Sequence, residues 1–102
     1  MMVPRSWSVA VAQIPVSWEV ERTLRHVRAA IARCQAGDLL LLPEGALSGY
    51  GPDLSPLDDS RAEAVNRAAD TVAALAERHR VHVFCGSLIR DQDAWWNAAL
   101  YF

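Results

Sequence analysis

The hydrophobic positions of this chain change period as the sequence proceeds, and each change marks an element. Residues 7–14 (WSVAVAQI) read as a strand. Its centre, Val9 to Ala12, is apolar at successive positions, as in a strand covered on both faces. Pro15 ends it. From about Ser17 to about Gln35 the apolar residues are Val20, Leu24, Val27, Ile31 and Cys34, spaced four, three, four and three apart. That spacing is one stripe along a helix. Glu21, Arg22, Arg25, Arg28 and Arg33 take the opposite face, Ser17 is the expected N-cap and Gly37 the stop. Leu39 to Leu42 is too short for a helix between Gly37-Asp38 and Pro43, so it reads as a buried central strand.

Residues 44–59 have no period and hold Gly45, Gly49, Gly51, Pro52 and Pro56. A loop this long inside a small domain points to a functional role. The pattern returns with Ser60-Arg61-Ala62-Glu63, a capping box that opens a second helix. Its stripe is Val65, Ala68, Ala69, Val72, Leu75 and Ala76, and it closes on Arg78-His79-Arg80, charges suited to a helix C-terminus. Residues 81–87 (VHVFCGS) form a third expected strand and residues 95–102 (WWNAALYF) a fourth, joined through the polar turn Arg90 to Asp93. The order β-α-β-loop-α-β-β predicts an α/β fold, with three parallel strands linked by right-handed crossovers and a fourth returning as a hairpin. A chain of 102 residues has room for one such domain, residues 1–102. Phe102 stands inside an apolar strand, so the expectation is a domain incomplete at its C-terminus.

Composition narrows the function classes. The net charge of −2 comes from 10 basic and 12 acidic residues, which leaves no basic stripe for a nucleic acid. No apolar run approaches the length of a membrane span, and no signal-peptide pattern opens the chain. Two cysteines, Cys34 and Cys85, are too few for a disulfide framework and have no metal-ligand spacing, so a reduced, cytoplasmic setting without a metal is expected. All the basic residues are arginine. The chain contains no lysine. A nucleotide-binding reading is weak, because the turn after the first strand, Gln13-Ile14-Pro15-Val16-Ser17, lacks the glycines of a phosphate cradle.

Glu44 is the leading candidate for chemistry. It follows the buried strand and Pro43 at the strand's carboxyl end, where ligands of open α/β sheets collect. Apolar surroundings there are expected to desolvate the carboxyl and raise its pKa toward a value useful for proton transfer. Position alone also allows a solvated glutamate at the start of a loop. Cys34, in the helical stripe, reads as a core thiol. Cys85 is near the end of a strand neighbouring the one that leads to Glu44, and it too reads better as core than as a nucleophile.

The run Leu39-Leu40-Leu41-Leu42-Pro43-Glu44-Gly45-Ala46-Leu47-Ser48-Gly49-Tyr50 resembles the glutamate motif of the nitrilase (carbon–nitrogen hydrolase) superfamily. Three further segments fit the same family in the same order: Val9 to Gln13 as its first strand, Val83 to Ser87 as a later core strand, and Asn97-Ala98-Ala99 as the return strand. The resemblance covers about Ser8 to Phe102 and implies the N-terminal portion of an αββα sandwich. It implies hydrolysis or transfer of non-peptide carbon–nitrogen groups (amides, nitriles, carbamoyl compounds, glutamine side chains) by a Glu–Lys–Cys triad without a cofactor. Full-length members are expected as homo-oligomers. Glu44 would be the general base, and Tyr50, in the place of the family's Gly-Tyr, would line the substrate pocket, whereas the residue by itself equally allows a loop aromatic packing on the core. From its place on the expected fourth strand, Asn97 reads either as a polar residue hydrogen-bonding the active-site loops or as a sheet-edge amide. Of the triad only Glu44 is present, since there is no lysine and neither cysteine matches the nucleophile's motif. The isolated 102 residues are therefore expected to be inactive. The alternative is a non-catalytic α/β module that binds a partner through its sheet edge.

Overall fold

The computed structural model describes residues 6–102. The elements are β1 (Val9–Val11), α1 (Val20–Arg33), β2 (Leu39–Leu41), α2 (Asp59–His79), β3 (His82–Asp91) and β4 (Ala94–Tyr101). They build one sheet of order β1-β2-β3-β4, in which β1, β2 and β3 are parallel and β4 runs antiparallel to β3. Each parallel crossover adds its strand on the same side of the last. With right-handed connections this places both helices on one face of the sheet, and α1 packs against α2 there.

The core lies between that helical layer and the sheet. Val27, Ile31 and Val72 of the helices meet Leu40 and Val83 of the strands, all between 0% and 1% exposed. Full burial of such side chains contributes about 1.5–3 kcal/mol each. The stripe expected on α1 is the buried one: Val20, Leu24, Val27 and Ile31 face inward, with Cys34 half-buried beyond them.

The opposite sheet face is apolar and open. Val9, Val11, Leu41, Phe84 and Tyr101 are 53%, 71%, 38%, 39% and 60% exposed. Burial of β1 on both faces, as its sequence predicts, is thus not found among the described residues, because both helices take the same side.

Two helix starts differ from expectation. Ser17 Oγ accepts from the Glu19 N–H at 3.1 Å, a bend just ahead of α1, and the N-cap is Glu19, which makes no side-chain cap bond. Asp58, not Ser60, caps α2; its Oδ1 accepts from the Arg61 N–H at 2.7 Å. Both residue types cap helices, but a carboxylate also meets the positive end of the helix dipole with a full charge. The hairpin runs longer than its polar residues suggest. Arg90 and Asp91 continue β3, and the turn is only Gln92 and Asp93, at φ of 51° and 63°. Both residues in the left-handed region give the tight turn whose twist suits an antiparallel pair.

Candidate active site

The chain leaving β2 stays attached to β3. Leu42 N–H donates to Phe84 O at 2.8 Å and Leu47 N–H to Gly86 O at 3.4 Å. Farther along, Leu88 N–H donates to Ser48 Oγ at 2.7 Å, and that hydroxyl donates onward to Gly49 O at 2.8 Å. Ser48 is fully buried, so its hydroxyl fills a place that a backbone carbonyl would hold in a longer β2.

Between these ties the backbone makes a tight turn, closed by Gly49 N–H donating to Gly45 O at 2.8 Å. Gly45 and Gly49 have φ of 67° and 88°, a region that side chains rarely adopt. A Cβ on Gly49 would lie 2.6 Å from Ser17 O, so the turn rests directly on the segment entering α1. Arg61 of α2 clasps the same segment, donating to Trp18 O with its guanidinium 5.6 Å from the indole centroid.

Glu44 opens this turn. A Cβ on Gly86 would be 2.6 Å from Glu44 Cα and 2.7 Å from Pro43 O, so a bare backbone on β3 allows the glutamate its position. The Asn97 amide Nδ2 donates to Glu44 Oε1. Asn97 is paired with Leu88 across the hairpin, and Ala99 with Gly86, which puts Asn97 on the same sheet face as Gly86. A cleft of about 500 Å³ opens there, its lining including Leu41, Leu42, Glu44, Phe84, Gly86 and Asn97, with Cys85 also at its border. The expected desolvation of Glu44 is not found: its carboxylate is exposed at the cleft.

Cys85 occupies the alternate position of β3. It is 1% exposed and belongs to the core with Leu40 and Val83. Burial pushes its thiol up to about 12. Cys85 borders the cleft that holds Glu44, but its side chain is buried in the core and its thiol donates to Gly86 O at 3.5 Å rather than to the carboxylate, so the two do not form a nucleophile–base pair. Cys34 is half-buried at the end of α1, its thiol raised by burial and then by the nearby Asp38 carboxylate. Tyr50 is 49% exposed and packs across the turn toward Gly45, outside the set of residues that line the cleft. Among the described residues, no group of three His, Cys, Asp or Glu side chains could hold a metal ion. No described helix is long and apolar enough to cross a membrane.

Sequence reasoning missed Gly86 and Ser48. A glycine inside a strand signals close backbone approach, and that signal was present in Phe84-Cys85-Gly86-Ser87. Ser48 carried no local signal.

Comparison with known proteins follows the same boundaries. The solved structure of a glutamine-dependent NAD(+) synthetase from Cytophaga hutchinsonii superposes with a TM-score of 0.73 over 91% of this chain, at 22% sequence identity. The chain spans 16% of that protein's length. No curated protein sequence matches. The family model for carbon–nitrogen hydrolase matches residues 8–102, from the start of β1 through β4, and the fold agrees with a partial nitrilase-like αββα sandwich. The chain belongs to the carbon–nitrogen hydrolase family.

Proposed function

We propose that Glu44 is the general base of an amidase-, nitrilase- or carbamoylase-type reaction on a small, non-peptide carbon–nitrogen substrate. The observation that supports this is its placement: an exposed carboxylate at the carboxyl end of a central strand, held by Asn97 over an open cleft. On this reading a cysteine thiol from outside these residues gives its proton to the Glu44 carboxylate as its sulfur bonds to the substrate carbon. For an amide, collapse of the tetrahedral intermediate breaks the C–N bond, and Glu44 returns the proton to the leaving amine. A lysine ammonium, also from outside, would stabilise the oxyanion. Tyr50 is assigned to substrate contact at the rim.

The 102 residues alone then catalyse nothing, since they hold no lysine and their cysteines are in core positions. An ammonia-release assay with glutamine, simple amides, nitriles and carbamoyl compounds checks this. Turnover that disappears in Cys85→Ser overturns it. Fusion to a family segment that carries the lysine and cysteine tests Glu44 directly: turnover lost in Glu44→Gln supports the base assignment, and turnover retained refutes it.

A second reading is a non-catalytic interaction module, favoured by the uncovered apolar sheet face. It predicts that the 102-residue chain is fully ordered without any added segment, which limited proteolysis measures.

A further inference from the structure

The contact between Asn97 and Glu44 joins residues that lie far apart in sequence, on the loop after β2 and on β4. A carboxylate has two oxygens, and here they are distinguished. Oε1 accepts from the Asn97 amide, whereas Oε2 receives no hydrogen bond from any described residue. Below the carboxylate, the missing side chain at Gly86 admits the glutamate backbone, with Glu44 Cα only 2.6 Å from where a Cβ would stand, and the hydrogen bonds Leu42 N–H to Phe84 O and Leu47 N–H to Gly86 O tie the flanking backbone to β3. The backbone is therefore fixed by β3 and the carboxylate by β4.

We infer that Asn97 is a positioning residue for Glu44: it occupies one carboxylate oxygen and so presents the other to the cleft. An exposed glutamate otherwise samples several rotamers, and a base must be within hydrogen-bond reach of the proton it takes. The neutral amide can donate to the carboxylate without adding a competing charge. This deepens the reading of Glu44 as the base and rests on it for its catalytic meaning, although the contact itself can be tested without turnover.

Five side chains carry a primary amide, Asn66 on the surface of α2, Asn97, Gln13, Gln35 and Gln92, and the signal that disappears in Asn97→Asp assigns Asn97 by NMR, as Asn66→Asp assigns Asn66. One Asn97 amide proton is expected to be shifted downfield and to exchange with solvent about five-fold more slowly than in Asn66. That factor corresponds to about 1 kcal/mol for a single net hydrogen bond. Both features should vanish in Glu44→Ala, which leaves Asn97 itself intact. An Asn97 amide that exchanges like Asn66, or that does not respond to Glu44→Ala, overturns the inference. In the active fusion, Asn97→Ala should lower kcat about ten-fold with KM unchanged, the signature of a misplaced base. A ten-fold rise in KM with kcat unchanged would refute positioning. Retained turnover in Glu44→Gln would sink the base assignment while leaving the NMR contact standing.

Discussion

The two faces of the sheet are built from similar residues and have different fates. One face sets Leu40, Val83 and Cys85 against Val27, Ile31 and Val72 and is closed to water. The other sets Val11, Leu41, Phe84 and Tyr101 in the open, with Glu44 and Asn97 at one end. Stability within these residues comes from the first face, and the candidate chemistry belongs to the second. The parity of β3 sorts them. Cys85 turns inward and becomes inert, and Gly86, one residue on, turns outward and makes room for the acid.

The strongest way to break this contrast is on the closed face. Ile31→Ala should cost about 3–4 kcal/mol in urea unfolding, the usual loss for a fully buried isoleucine that leaves a cavity. Gly86→Ala acts on the open face and should cost about 2 kcal/mol, because the new methyl meets backbone rather than a yielding side chain. Its second effect is diagnostic: the Asn97 amide signal should revert to that of a free asparagine. Ser48→Ala should cost about 1.5 kcal/mol by leaving the Leu88 N–H buried without an acceptor.

Alkaline pH sharpens the contrast through Cys85. Its thiol titrates at an ordinary value of 9.0 in the unfolded chain and is pushed up to about 12 by burial in the folded one. The unfolded state therefore releases this proton first. The stabilisation is complete below pH 9 and is lost as pH rises from 9 toward 12, by about 1.4 kcal/mol per unit. The part of the alkaline slope that Cys85→Ala removes measures it. The smallest expected effect is on the open face: Val11→Thr should change stability by no more than about 0.5 kcal/mol. A loss as large as that of Ile31→Ala would show that this face is covered in solution.

Helix α1 was legible because five apolar residues at helical spacing have no other use, and its buried side follows from them directly. The parallel direction of the first three strands and the antiparallel return of the fourth followed from the alternation of periods, whereas the order β1-β2-β3-β4 is fixed only by the packing of both helices on one face. The start of α2 was misplaced because Asp58 and Ser60 are both good caps within one turn, and only the extended backbone at Asp58 decides between them. The length of β3 was underestimated because Arg90 and Asp91 look like turn residues, although a strand end reaching into water tolerates charge. Glu44 was visible from its place after a buried strand, which left both a desolvated and a solvated carboxyl open, and the exposed position decides for the second. The Asn97 contact depends on hairpin pairing, Leu88 opposite Asn97 and Gly86 opposite Ala99, which follows only when the turn is Gln92 and Asp93 and not the longer Arg90 to Asp93 that the polar residues suggest.

That pairing gives the Gln92-Asp93 turn a role beyond joining two strands. A strand shifted by one residue turns every side chain to the other face. The turn thus works as a ruler: its two residues count out the pairs from Asp91–Ala94 to Leu88–Asn97 and deliver the amide to the acid's side of the sheet. A single inserted or deleted residue at this distant tip could silence the site without touching any group that lines it.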